Sequence, residues 1–238
     1  MAKAIEIIKY PFSLGAALNR SFSAPDIVQA ISEDLLSSAI TNWRELPPFK
    51  KTSSGRHYKK LRNYVAVQEA ITLLGTEIGK SQWNGNKTLT LGGDHTQGIA
   101  TIKVSALILT AKAVISGDVS CKDKNAPTDL QNAGDQGQIE KLGQLISSYA
   151  AQGAISKKAL KEFLNTITVI WIDSHADYND RHTSRSGNIH GMALAACAGH
   201  DIGGIEDLFA GDVIKLSPKN IYVLCARDID PLERKLMN

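Results

Sequence analysis

Cysteine is scarce in this chain: three residues in 238, with only 6% aromatics and seven prolines. Cys121, Cys197 and Cys225 stand far apart and form no CxxC pair, which argues against a disulfide framework and against a zinc knuckle. That usage fits a reducing compartment, and a cytoplasmic protein is expected. No apolar run approaches the ~20 residues that span a bilayer, and the first residues hold no long apolar segment of the signal-peptide kind. No membrane association is therefore expected. Lys plus Arg number 27 against 24 Asp plus Glu, too even a balance for a nucleic-acid binder, and no basic stripe with interleaved aromatics occurs. The pairs Lys50-Lys51 and Lys59-Lys60 read as solvated surface. No internal repeat is visible.

What the chain does have is a succession of β-branched strands and amphipathic helices, long enough to build one α/β domain with a substantial core. Ala4 to Ile8, stopped by Tyr10-Pro11, is a first strand. Helical spacing begins after Ser23, with Ile27, Val28, Ile31, Leu35 and Leu36 on one side. Asn42 to Gly55 is a loop or a short irregular strand. Tyr64 to Ile78 is helical, and Thr88 to Leu91 is a strand halted by Gly92-Gly93. Ile167 to Ile172 is apolar throughout and predicts a parallel strand buried on both faces. Asn220 to Cys225 predicts another. Between about 117 and 165 lies an apparent insertion on this frame. Its Asp118 to Gly137 part has loop composition, and two short helices follow, the second capped by Ser156.

The chemistry is concentrated where strands end. Asp173-Ser174-His175-Ala176-Asp177 places three metal-grade ligands two residues apart, and on extended backbone alternate residues share a face. Asp94 and His95 follow Gly92-Gly93 at another strand end. Ligands of open α/β sheets bind just beyond the carboxyl ends of the strands. Carboxylates mixed with imidazoles, with no thiolate nearby, suit manganese, iron or zinc. Asp173 has two oxygens with which to bridge a metal pair, while His95 and His175 cap one ion each. Two such ions activate a shared water, so metal-assisted hydrolysis is the expected reaction class. Ser186-Gly187-Asn188-Ile189-His190-Gly191 adds neutral hydrogen-bonding groups on a glycine-flanked loop and an imidazole suited to proton transfer. Taken singly, each of these motifs also fits a turn or a cap.

Together they resemble the ureohydrolase superfamily, and arginase in particular. Leu91 to His95 resembles the first metal signature, Asp173 to Asn179 the second, and Ser186 to Gly191 the arginase substrate loop. The resemblance implies a three-layer α/β/α sandwich around a mostly parallel sheet, formed by residues 1–238 as a single incomplete domain lacking the C-terminal strands. It implies manganese-dependent hydrolysis of L-arginine to L-ornithine and urea by a metal-bridging hydroxide, with two Mn(2+) per active site in the complete fold. By the same resemblance His95, Asp173 and Asp177 hold one ion, and His175 with the bridging Asp173 the other. His190 shuttles protons. Asn179, Ser186 and Asn188 recognise the α-carboxylate, Ser184 occupies a further carboxylate-contact position, Asp230 takes the α-amino group, and Glu233 supports it. A homo-oligomer such as a trimer, or association with a partner arginase subunit, is expected, with a role in arginine metabolism and the urea cycle.

The family pattern also includes a later strand ending in a DxD pair and a Glu near the guanidinium site, which this sequence does not contain. By family topology two absent strands belong in the middle of the sheet, so a sheet split into two halves is expected. The second ion is expected to keep only Asp173 and His175. The competing expectation is a non-catalytic arginase-like protein, or a regulatory subunit with an incomplete metal site.

Overall fold

The computed structural model describes residues 5–16, 23–36, 40–47 and 60–237. Ala17 to Asn19, the Lys50-Lys51 pair and the stretch leading to Gly55 lie outside the described residues. Strand β1 (Ile5–Tyr10) is central to a parallel sheet of order β2-β1-β3, with β2 (Ile40–Glu45) and β3 (Lys87–Gly92) on its two sides. A second parallel sheet contains β4 (Val169–Ile172) and β5 (Ile221–Leu224), registered Val169 to Ile221 and Ile172 to Leu224. The α/β class read from the sequence is present, and the sheet is in two pieces as expected.

Two long helices pack against each other and against the first sheet. Helix α2 (Tyr64–Trp83), which follows α1 (Ala24–Leu36), buries Val67, Ile71, Leu74 and Ile78, spaced to share one face. Helix α3 (Thr96–Ser116) buries Ile99, Val104, Leu107 and Ala111, and Gly117 ends it in the left-handed conformation that glycine adopts without steric cost. Contrary to the sequence expectation, α3 is long and apolar enough to cross a membrane by length and composition, but 61% of that stretch is buried inside the fold. Lys103 is enclosed with it and donates to the carbonyls of Glu206 (2.5 Å) and Ile214 (3.2 Å). Burial pushes its ammonium below the usual lysine range, the charged form being costly away from water.

The 117–165 region is not a loose addition. Asp118 to Gly137, expected to be loop, contains helix α4 (Ala126–Asp135), which starts at an Ala-Pro pair and buries Ala126, Leu130 and Ala133. The polar composition fills its solvent side, so the narrow apolar stripe was hidden by its surroundings. Helix α5 (Ile139–Ala151) packs against α2, α3 and α4. Helix α6 (Lys157–Leu164) begins at Ser156, whose hydroxyl accepts the Ala159 N–H at 3.4 Å, as the capping pattern predicted. The two remaining helices, α7 (Ala193–Ala198) and α8 (Pro231–Met237), flank β5 in sequence and carry residues near the strand ends.

A second correction concerns β4 and β5. The all-apolar runs predicted strands buried on both faces, yet Ile170 (63%), Ile172 (73%), Tyr222 (53%) and Leu224 (46%) are exposed. Their alternate partners Val169, Trp171, Ile221 and Val223 pack on the core, so one face of this sheet is covered and the other is bare.

Close backbone approach fixes how α5 seats. A Cβ added at Gly143 would lie 1.3 Å from the Phe209 carbonyl oxygen, so the main chain itself must move to accept one. Gly143→Ala is expected to lower the unfolding free energy by about 1–3 kcal/mol, the usual cost of overpacking. Urea denaturation followed by circular dichroism measures it, with a midpoint equal to that of the unsubstituted chain as the contrary result.

Candidate metal centre

The Gly92-Gly93-Asp94-His95 corner owes its composition to crowding. A Cβ at Gly92 would overlap the Gln97 side chain at 1.9 Å, and one at Gly93 would meet the Phe12 carbonyl oxygen at 2.5 Å. Asp94 is not among the residues whose ligand atoms converge on one point. Its carboxylate accepts the N–H of Thr96 at 2.9 Å and the N–H of Gly15 at 2.8 Å, capping α3 and tying the loop after β1 to the end of β3. Gly15 in turn accepts the His190 N–H at 3.3 Å. One glycine thus joins two of the sequence motifs.

With Asp94 so engaged, the imidazole of His95 swings toward the end of β4. Its Nδ1 lies 2.6 Å from Asp177 Oδ2 and 3.2 Å from Asp173 Oδ2. Ligand atoms of these three residues all fall within 4.8 Å of one another, and this is the one group of three or more potential metal ligands among the described residues. Trp171 lies edge-on to the imidazole, with ring centroids 5.5 Å apart.

The convergence does not arise by strand alternation, as the sequence suggested. Strand β4 stops at Ile172, and the following residues bend. Asp173 accepts the His175 N–H at 2.8 Å, an Asx turn, and Asp177 takes a positive φ of 48°, which aspartate tolerates better than most residues. The main chain at Asp177 is anchored by the Leu194 N–H at 2.9 Å. His175 is left at the edge, Nδ1 3.3 Å from Asp173 Oδ1 and Nε2 3.9 Å from Asp228 Oδ2.

The charges around this cluster perturb one another. The hydrogen bond to Asp177 raises the His95 pKa, partial burial opposes the rise, and the charges of Asp177, Asp173 and Asp94 add to it. For Asp173, burial favours the neutral acid but is outweighed by the His175 N–H and the two imidazoles, which leave its carboxyl below the usual range. Two carboxylates drawn to one imidazole, with oxygen and nitrogen ligands and no thiolate, are a donor set for a hard or borderline divalent cation. The described residues therefore fit one such ion through His95, Asp173 and Asp177. A second position would have only His175, the shared Asp173 and Asp228.

A cavity of about 480 Å³ opens beside the cluster, lined among others by His95, His175, Asp177, Asn179, His190, Asp228, Asp230 and Glu233. Asp228 was missed in the sequence, although its place just after β5 is where such ligands are expected. The rings of His190 and His95 are 6.3 Å apart. Glu233 is buried and braces the floor, accepting the Tyr178 N–H at 2.8 Å and the Asp230 N–H at 3.2 Å. Burial pushes its pKa up, the two N–H donors oppose that, and the charges of Asp177 and Asp230 reinforce it.

The substrate-loop residues separate into two sets. Asn179 lines the cavity, and its buried amide oxygen has no partner among the described residues. Ser184 and Ser186 do not line it. Their hydroxyls accept the N–H groups of Gly187 (3.1 Å) and Asn188 (3.2 Å), stitching the loop to itself. Asn188 is buried, and its amide oxygen likewise lacks a partner.

The comparisons agree with this geometry. Residues 148–238 match the model of the arginase family. Arginase from Neurospora crassa is 28% identical over 184 residues, which are 76% of this chain and 37% of that protein. Arginase from Bacillus subtilis is 42% identical over 71 residues, 30% of this chain and 24% of that protein. Among solved structures, native Bacillus caldovelox arginase superposes with a TM-score of 0.66 at 23% identity, covering 99% of this chain and 62% of that one. Entamoeba histolytica arginase in complex with L-ornithine gives 0.62 at 19% identity, covering 98% and 61%. The chain thus spans well under two thirds of the length of its curated relatives. The three-ligand cluster at the carboxyl ends of β3 and β4 thus lies in a fold shared with arginases along nearly the whole chain, and residues 148–238 match the arginase family.

Proposed function

We propose that this chain carries the first half of a manganese-dependent arginase site, built to hydrolyse L-arginine to L-ornithine and urea. The observation that carries the proposal is the convergence of His95, Asp173 and Asp177 at the head of a cavity also lined by Asn179, His190 and Asp230. That the Entamoeba histolytica relative was solved with L-ornithine supports an amino-acid ligand for the cavity.

His95, Asp173 and Asp177 would hold the ion, with His175 and Asp228 at the neighbouring position. When bound, the cation supplies Lewis-acid polarisation and lowers the pKa of water, the source of the nucleophile. The chain's own residues do the rest. Asp230, fixed by Glu233 through its backbone N–H, presents a carboxylate to the α-amino group of the substrate. Asn179, on the cavity wall, offers its amide N–H groups to the α-carboxylate. Ser184, Ser186 and Asn188 contribute by holding the loop that positions His190, and their donors reach a substrate carboxylate only if that loop shifts. His190, on the cavity wall, moves the proton that the departing amine of ornithine needs.

The competing reading, tested by the same experiments, is a non-catalytic arginase-like subunit that binds one ion and turns nothing over. Its partners would be a further copy of itself, as in a trimer, or an arginase subunit. The three free cysteines, one of them exposed, support a cytoplasmic place for either form.

Urea released from L-arginine with Mn(2+) present, compared with agmatine, separates the two. Catalysis with a strong preference for L-arginine is expected; full metal loading without urea would establish the subunit instead. His190→Ala is expected to lower turnover about 100-fold or more while metal content stays unchanged. Loss of metal in that variant would show that the imidazole is a ligand. Asp177→Ala is expected to reduce manganese occupancy measured by atomic absorption, and unchanged occupancy would remove it from the ligand set.

A further inference from the structure

Away from the metal cluster, a second cavity of about 430 Å³ lies between helix α6, the last turn of α5 and residues 212–218. Its lining is apolar below: Ala150, Leu160, Leu164 and Leu216 are all buried, and Val213 and Pro218 join them. Leu164 precedes β4 and Pro218 precedes β5, and the Asn220 amide ties the two segments by donating to the Asn165 carbonyl at 2.5 Å. The cavity therefore sits at the amino ends of the strands, while Asp173 follows β4 at its other end. Among the described residues it shares no lining residue with the cavity beside His95.

The mouth is cationic. Lys157, Lys161 and Lys215 line it against a single carboxylate, Asp212, which is already paired with Lys215 at 2.5 Å. On α6 the ion pair joins Lys158 to Glu162 at 3.8 Å, which leaves Lys157 and Lys161 without one among the described residues. Both are exposed, and four residues apart on a helix they project from one side, where like charges repel. Lys157 also stands in the first turn, where the helix macrodipole disfavours a cation. An anion between the two ammonium groups relieves both conflicts.

We propose that this cavity binds a small amphipathic carboxylate, its alkyl body on the Leu160, Leu164 and Leu216 floor and its head between Lys157 and Lys161. Cavities of this size, apolar with a few polar groups that fix orientation, are the usual form of small-molecule sites. A wholly polar anion would leave the floor unused, and an uncharged hydrocarbon would leave the lysine pair unrelieved. A lipid surface is a poorer fit, because it takes apolar side chains that project, whereas Leu160, Leu164 and Leu216 are recessed at 3%, 4% and 3% exposure. None of the residues proposed for arginine hydrolysis is used, so this site stands or falls by itself.

The probe is octanoate, titrated into the full chain by isothermal calorimetry and followed by nuclear magnetic resonance of labelled methyl groups. A Kd of about 1 mM or below is expected, in line with the affinity that so few atoms supply. Acetate and octanol are each expected to bind at least tenfold more weakly, and the largest shifts are expected at the methyls of Leu160, Leu164, Val213 and Leu216. Lys157→Gln combined with Lys161→Gln, both at exposed positions, is expected to weaken octanoate about tenfold with the urea midpoint unchanged. The proposal is overturned by shifts centred on the metal cavity, by an affinity indifferent to the double substitution, by octanol binding as tightly as octanoate, or by no binding up to about 10 mM. Sedimentation with phosphatidylglycerol vesicles that the double substitution abolishes, without octanoate binding, would make a lipid surface the ligand and overturn it equally.

Discussion

Two carboxylates and an imidazole meeting where β3 and β4 end is the constraint around which the rest of this molecule is arranged. Asp177 is 3% exposed and lies close to Asp173, an arrangement that like charges resist unless a positive charge sits between them. The hydrogen bond from His95 to Asp177 raises the imidazole's pKa, and at Asp173 burial is outweighed by the His175 N–H together with the two imidazoles, which hold the carboxyl below its usual range. A divalent cation between the carboxylates supplies such a positive charge. Much of the surrounding backbone serves to prevent the cluster from relaxing apart: the Asx turn at Asp173, the left-handed residue at Asp177, the Leu194 anchor and the Gly15 link to the His190 loop.

Helix α3 connects this chemistry to the architecture. Its first turn is capped by Asp94, which frees His95 for the cluster, and the same helix carries Thr101 against β3 and Gly98 against β4. Among the described residues, β4 and β3 are thus related through a helix and not through sheet pairing. Within the same described residues, one face of β4 and β5 is packed on the core and the other, with Ile170, Ile172, Tyr222 and Leu224, is exposed.

Much of this was legible in the residues. The glycine pair before Asp94 and His95, the apolar run before Asp173 and the cap at Ser156 each signal their structure through local chemistry. Strand pairing, by contrast, depends on neighbours distant in sequence. The split sheet implied free apolar edges, but the exposed face at Ile170 and Ile172 could not be read from the run itself, because an apolar run reads as buried whether or not its cover is present. The α3 run escaped notice as an apolar span for the opposite reason, its Thr, Gln, Ser and Lys interrupting a stretch that burial nonetheless unifies. Helix α4 was hidden by polar residues on its solvent side. Within the site, residue types announced ligands but not directions: Asp94 caps a helix, Ser184 and Ser186 stitch their own loop, and Asp228 entered the cavity unannounced.

The ligand cluster is open to a direct spectroscopic measurement that needs no turnover. In a titration of the full chain with Mn(2+), followed by loss of the free-ion electron paramagnetic resonance signal, at least one ion per chain is expected to bind with nitrogen coupling from an imidazole. That coupling and the tight uptake are expected to vanish together in His95→Ala. Uptake that survives this substitution with its nitrogen coupling intact would contradict the account, because the imidazole at the end of β3 would then have no part in holding the metal.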